Sequence, residues 1–212
     1  MREVECEQGS AEWLEARRGV ITATKAAALL ARNSRGWAAS RARVIAELAM
    51  ERLHAEPPEN RVSAAMVRGT ELEGDARTTY EMEKACEVET IGFCLHDRFD
   101  RYGASPDGLV GDDGGVEFKV PDSVAKMVGY LDDPAALRAE YEGQAIHNLF
   151  VTGRKWWHIA AYDPRAPGGL NLAITTVNPP TDWATYEAEL ATVDAEIDAL
   201  VASLDAKRSL AA

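Results

Sequence analysis

Ser105-Pro106-Asp107-Gly108-Leu109, followed across Gly111-Asp112-Asp113-Gly114-Gly115 by Val116-Glu117-Phe118-Lys119, is the stretch on which the fold turns. Tyr102 to Val110 and Val116 to Val120 read as strands, and the five residues between them are dense in turn formers, so the pair reads as a β-hairpin. Side chains alternate faces along a strand, which puts Glu117 and Lys119 on one side and Phe118 on the other. Asp107 on the partner strand then meets Glu117 across the ladder. Two carboxylates held side by side repel each other unless a cation lies between them, and an oxygen-only ligand set favours Mg²⁺ or Mn²⁺. A lysine two residues on can hold or polarise a water beside that ion. Together these groups supply what metal-assisted phosphodiester hydrolysis needs. An aspartate before glycine is by itself usually a turn residue. The weight of the reading comes from Asp107 facing Glu117 and Lys119.

Working outward, Ser10 is an N-cap for a helix over Ala11 to Arg17. After Gly19-Val20-Ile21-Thr22-Ala23, Thr22 or Thr24 caps an alanine-rich helix from Lys25 to Ala31. Ala39 to Met50 is an amphipathic helix that stops before the Pro57-Pro58 loop, and Ser63 to Lys84 is one long helix weakened at Gly69. Glu87 to Asp97 reads as a first strand ahead of the hairpin. Leu137 to Val151 is a helix, and Trp156 to Tyr162 and Leu170 to Val177 are a second strand pair with at least one of Trp156 and Trp157 in the core. From about Thr181 to residue 210 a last helix carries Trp183, Tyr186, Leu190, Val193, Ile197, Leu200 and Leu204 on one apolar stripe. That stripe either packs on the sheet or serves subunit contacts in part. The order of elements predicts an α/β (α+β) fold, a mixed central β-sheet flanked by helices, in one domain over residues 1–212.

The 212 residues suffice for one well-buried domain. No apolar run is long enough to span a bilayer, and no signal-peptide pattern opens the chain. Cys6, Cys86 and Cys94 lack CxxC spacing and read as reduced thiols of a cytoplasmic protein. His54, His96, His147 and His158 show no metal-ligand spacing. Neither a GxSxG elbow nor a Walker-type glycine loop is present, which sets aside serine hydrolases and ATP-driven chemistry. The net charge of −12 runs against a nucleic-acid partner. The expectation is that basic residues line only the DNA track and that the acidic C-terminal region lies away from it.

The chain resembles the PD-(D/E)xK nuclease superfamily and, within it, the phage lambda exonuclease or YqaJ-type group of viral recombinases. The resemblance runs from about Glu7 to Pro164. It is carried by Glu7-Gln8-Gly9, Trp13, Arg17 to Thr24, Gly69, Glu73 to Arg77, Ser105 to Leu109, Glu117-Phe118-Lys119 with Pro121, Tyr141 and Gln144, and Tyr162 to Arg165. An ExK alone is weak; SPDGL, ExK and a helical glutamine in this order behind the GVITA segment is a strong signal.

The resemblance implies a restriction-endonuclease-like core. In it Asp107, Glu117 and the Phe118 backbone carbonyl ligate two Mg²⁺ ions, with Mn²⁺ as a substitute. Glu73 reaches the second ion directly or through water, and Lys119 orients the attacking water. The charge of two nearby cations is expected to lower the proton affinity of Lys119. Arg17, Thr24, Ser105 and Gln144 correspond to a pocket for the terminal 5′-phosphate, Thr24 standing where serine is commoner and Ile146 replacing a second glutamine. Met66 corresponds to an apolar wedge at the DNA end, with Arg32 or Arg35 inserting into the duplex. The implied activity is 5′-to-3′ degradation of linear double-stranded DNA to mononucleotides, leaving 3′ overhangs for recombination by strand annealing. The implied assembly is a ring-shaped homotrimer partnered by a single-strand annealing protein, in a phage or prophage setting in a bacterial cytoplasm. The rival readings are a structure-specific endonuclease on the same core and a non-catalytic DNA-end-binding loader.

Overall fold

The computed structural model describes residues 1–54 and 64–211, with side chains of the second stretch from 67 to 210. The Pro57-Pro58 loop and the Met66 side chain lie outside the described residues. The helices are α1 (Ala11–Arg17), α2 (Ala23–Leu30), α3 (Ser40–Leu53), α4 (Ala64–Lys84), α5 (Val124–Asp132), α6 (Pro134–Thr152) and α7 (Ala184–Ala211). Ser10 caps α1 by accepting the Trp13 amide. Thr22 occupies the N-cap of α2 without a side-chain cap bond. Gly69 does not interrupt α4, and the space beside its α-carbon is open, so no packing demand explains it.

The strands are β1 (Arg2–Val4), β2 (Arg32–Asn33), β3 (Gly36–Trp37), β4 (Val88–Glu89), β5 (Phe93–Leu95), β6 (Gly103–Ala104), β7 (Gly108–Val110), β8 (Gly114–Lys119), β9 (Trp156–Tyr162) and β10 (Leu172–Val177). The main sheet has the order β10-β9-β8-β7-β4, with β8 and β9 parallel and the other neighbours antiparallel. The helical pair α5–α6 makes the long crossover that a parallel β8–β9 pair requires. A second sheet has the order β1-β5-β6. This is the mixed sheet flanked by helices that the sequence predicts.

Two predicted strands are each divided. Glu87–Asp97 becomes β4 and β5, and Tyr102–Val110 becomes β6 and β7, with one member of each pair in each sheet. The chain changes sheets at Thr90-Ile91-Gly92 and at Ser105-Pro106-Asp107. Proline has no N–H for a ladder, so Pro106 marks a place where pairing stops. The consequence is functional: Asp107 lies just before β7, at a seam between sheets. Helix α5 is not anticipated by the sequence reading, and α6 begins three residues earlier than expected, capped by Asp133 with Pro134 in its first turn.

The main sheet separates two apolar layers. On one face Val116, Phe118, Ala160 and Tyr162 meet Ala76 and Tyr80 of α4. On the other, Leu109, Trp157, Ile159 and Ala161 join the larger core with α2, α3, α6 and α7. Trp157 is fully buried, as expected of at least one of the tryptophan pair. Gly114 and Gly115, read from sequence as turn residues, are the start of β8; a β-carbon on either would lie 1.9 Å from the Trp156 ring or 2.2 Å from the Trp157 ring. The stripe of α7 packs chiefly on α3, with a smaller contact to α2. Leu190, Val193 and Ile197 are buried against the helical layer, and Trp183 and Tyr186 close on Phe150 of α6.

Candidate active site

Alternation along β8 decides the site. Val116 and Phe118 are committed to the α4 layer, so Glu117 and Lys119 face α6. They touch: Lys119 Nζ lies 2.8 Å from Glu117 Oε1 and also donates to Gln144 Oε1 at 2.8 Å. The Tyr141 ring lies 4.9 Å from the same ammonium. The other Glu117 oxygen, Oε2, accepts Asn148 Nδ2 at 3.1 Å. Asp107 stands where β7 stops pairing. Its Oδ2 accepts the Phe118 amide at 2.7 Å and so replaces the carbonyl that a continuing strand would offer. Within a strand the N–H and C=O of one residue face the same edge, so the Phe118 carbonyl opens toward Asp107 as well.

Glu73 of α4 completes the set from the other layer and is paired with Arg77 at 2.9 Å. Burial raises its pKa; Arg77 opposes that rise and Glu117 adds to it. The Asp107 residue keeps some surface, but its carboxyl group is closely surrounded by protein. Burial pushes its pKa well up, the negative charges of Glu117 and Glu73 push the same way, and Lys119 and the Phe118 amide oppose them. For Lys119, burial disfavours the charged form, but Glu117 and Asp107 outweigh it and its pKa ends above the ordinary lysine value. Here the ammonium itself balances the carboxylates; the fall expected beside two cations belongs to the metal-loaded site.

No three histidine, cysteine, aspartate or glutamate side chains among the described residues are already drawn into a metal-ligand cluster. Each carboxylate is turned onto its own donor: Glu117 onto Lys119 and Asn148, Glu73 onto Arg77, Asp107 onto a backbone amide. The donor chemistry nevertheless suits a hard divalent cation. All the anionic ligands are oxygens, and Asp107 is a buried acid whose ionisation is opposed by two like neighbours.

The sequence-derived phosphate residues divide. Arg17 and Ser105 are together, Arg17 Nη1 donating to Ser105 Oγ at 2.6 Å. Trp13 donates its ring N–H to the same hydroxyl at 3.0 Å, and its ring lies 4.0 Å beneath the Arg17 guanidinium. Burial lowers the Arg17 pKa to about 10 against the opposing pull of Glu51, Cys6 and Glu117, so it remains a cation at neutral pH. Gln144 accepts from the Lys119 ammonium and makes no hydrogen bond to Arg17 among the described residues. Thr24 is exposed on the first turn of α2 and makes no side-chain hydrogen bond among the described residues. Arg32 lies on the Trp37 ring at 3.7 Å and pairs with Glu189 at 2.8 Å, while Arg35 is exposed in the β2–β3 turn. A cleft of about 630 Å³ runs past Asp107, Glu73 and Arg77 to Trp13, Gln8 and Gly92.

Asn148, Trp13 and Arg77 had no assigned role in the sequence reading. For Asn148 the signal was present: it lies four residues after Gln144, on the same helical face. Lys25 and Glu51 were also passed over. They pair at 2.7 Å, and Glu51 also accepts the Gly19 amide, fixing the turn that follows Arg17.

Solved exonucleases share this mixed sheet flanked by helices. An alkaline exonuclease (LHK-Exo) from Laribacter hongkongensis superposes with a TM-score of 0.84 at 33% identity, covering 96% of this chain and 100% of that one. The same enzyme solved in complex with dAMP matches equally well. A phage-related exonuclease from Haemophilus somnus 129PT shares the fold at a TM-score of 0.72 and 9% identity, over 87% of this chain and 96% of that one. No protein with a curated description matches the sequence. The YqaJ-like viral recombinase domain matches residues 12–155, and the chain belongs to that family.

Proposed function

We propose that this chain is a Mg²⁺-dependent 5′-to-3′ exonuclease that degrades one strand of linear double-stranded DNA to mononucleotides and leaves a 3′ overhang. The observation that carries the reading is the joining of Asp107, the Phe118 amide, Glu117, Lys119 and Gln144 beside the Arg17–Ser105 pair. Catalytic machinery and an anion-binding arginine thus flank one seam. The relative solved with dAMP supports a nucleotide product of this kind.

Asp107, Glu117, Glu73 and the Phe118 carbonyl are the oxygens that would hold the ions. Bound Mg²⁺ supplies positive charge for the phosphoryl oxygens and acidifies a water. The protein does the rest. Arg17, already bonded to the Ser105 hydroxyl, forks onto the terminal 5′-phosphate and fixes how far the strand enters. Thr24 is open to a phosphate from the first turn of α2. Gln144 holds the Lys119 ammonium, which aligns the attacking water and stabilises charge on the scissile phosphate. We read Arg35 as the residue that meets the duplex, because Arg32 is engaged by Trp37 and Glu189. The Met66 wedge remains part of the proposal by sequence alone.

Residues 1–212 are read as one exonuclease domain, acting as a ring-shaped homotrimer with a single-strand annealing protein as partner in a bacterial cytoplasm. The viral recombinase family supports that setting. Among the described residues no helix is long and apolar enough to cross a membrane. The test is linear duplex labelled at 5′-phosphorylated or 5′-hydroxyl ends, with Mg²⁺ or EDTA, against closed circles and Lys119→Ala. Mg²⁺-dependent mononucleotide release from 5′ ends, absent in the variant, is the expected result. Cleavage of circles would make it an endonuclease, and end binding without cleavage a loader.

A further inference from the structure

Asn148 is 1% exposed, on the face of α6 that meets β8. It stands one helical turn after Gln144. Four residues of helix rise about 6 Å, and two residues of strand span about 6.6 Å, so an i, i+4 pair on α6 matches an i, i+2 pair on β8. The chemistry matches too. Gln144 offers an acceptor to the Lys119 ammonium at 2.8 Å, and Asn148 offers a donor to the Glu117 carboxylate at 3.1 Å. Two amides on one helix thus grip opposite charges on one strand.

Asn148 Oδ1 is buried and has no hydrogen-bond partner among the described residues. A buried carbonyl without a partner costs stability, so the fold alone favours an apolar side chain of similar volume here. The adjacent core agrees: Leu149, Phe150 and Val151 are buried neighbours.

We propose that Asn148 is a positioning residue: its amide holds Glu117 Oε2 and fixes the carboxylate plane in which Glu117 meets a divalent cation. The inference rests on the metal-dependent reading of the site. With Lys119 bonded to one oxygen and Asn148 to the other, Glu117 has a single orientation. When a cation draws on the carboxylate, the Asn148 bond keeps it from swinging with the ion. Partners of metal-ligating carboxylates in other proteins typically change affinity or activity by about 10–100-fold when removed.

The test uses the full chain carrying Asn148→Leu or Asn148→Ser, with Mn²⁺ binding by calorimetry in the absence of DNA, thermal melting, and exonuclease rate against Mg²⁺ concentration. Leucine removes the donor and the unpaired carbonyl while filling the space. Serine keeps a donor but leaves a void. The proposal expects affinity and stability to part ways. Asn148→Leu melts at or above the wild-type temperature yet binds Mn²⁺ and responds to Mg²⁺ roughly tenfold or more weakly. Asn148→Ser melts lower but retains more of the affinity. Metal affinity that follows melting temperature across the two variants makes Asn148 merely structural and overturns the proposal. Wild-type affinity in Asn148→Leu overturns it also, while leaving the exonuclease reading intact. A wild-type protein that binds no Mn²⁺ and degrades no DNA brings down the metal-dependent reading itself, and this inference with it.

Discussion

Asp107 is the residue on which most of the local electrostatics turn. Its carboxyl is held well above its ordinary pKa by burial and by Glu117 and Glu73. An acid whose pKa is raised by folding stabilises the protein fully below its unfolded pKa, and that contribution is lost as pH rises through the folded value. In EDTA, the melting temperature is therefore expected to fall as pH rises across that range, and Mg²⁺ to flatten the curve by favouring the ionised form. Asp107→Asn keeps an acceptor for the Phe118 amide and removes the charge. It should melt higher than wild type in EDTA at neutral pH, gain nothing from Mg²⁺, and degrade no DNA. Thermal melting with and without metal checks the first two, and mononucleotide release from linear duplex the third. Arg17 belongs to the same scale. Its charge-assisted bond to phosphate is worth about 1.5–3 kcal/mol, so Arg17→Ala should reduce the preference for 5′-phosphorylated over 5′-hydroxyl ends by roughly tenfold or more. Equal discrimination in the variant would remove Arg17 from the phosphate pocket.

At the scale of elements, the question is what keeps α6 and α7 in place around the seam. His147 is buried on α6 between the Ile21 carbonyl at 3.0 Å and the Tyr186 hydroxyl at 2.9 Å. A carbonyl only accepts, so Nε2 carries the proton and the bare Nδ1 accepts from Tyr186. Burial lowers the His147 pKa to about 4. A base whose pKa is lowered by folding adds stability above its unfolded value of about 6.5 and loses it as pH falls toward 4. His147→Phe removes that acid sensitivity, so the variant's melting temperature should change less between pH 6.5 and 4 than that of wild type.

Helix α7 is clamped by arginines. Arg52 of α3 meets Asp194 at 2.6 Å and Asp198 at 2.9 Å, and Arg101 reaches the same two carboxylates. Arg52 also donates to the Gly19 carbonyl, so one guanidinium ties α3, α7 and the turn after Arg17. Arg52→Ala leaves a largely covered Asp194 without that partner and should cost about 2 kcal/mol, or roughly 4–8 °C of melting temperature.

The whole molecule carries a net charge of −12, and a duplex repels it unless positive charge is concentrated where the strand runs. The acidity of α7 is mostly paired within the fold: Glu187, Glu189, Asp194, Glu196 and Asp198 meet Arg98, Arg32, Arg52, Arg101 and Arg41. Arg17 and the exposed Arg35 are not tied to that helix. A closed ring would hold DNA by topology where electrostatics are weak. Light scattering is expected to give three times the 23.1 kDa chain mass. A monomer would remove the ring and leave the strand held by local contacts alone.

Sequence by itself determined the composition of the seam. Period-two alternation put Glu117 and Lys119 on one face, the hairpin put Asp107 across from Glu117, and the helical glutamine was in the right order; these are local effects, written in a few residues each. Tertiary structure alone decided that the strands before and after Ser105-Pro106-Asp107 belong to different sheets, since a sheet change depends on partners far away in the chain. It also decided that Gln144 reaches Lys119, that Asn148 holds Glu117, and that the α7 stripe packs on helices. The two amide contacts join residues 25 and 31 positions apart, and the packing of α7 joins elements that no local period brings together; which faces meet is fixed only when the layers close around a shared core.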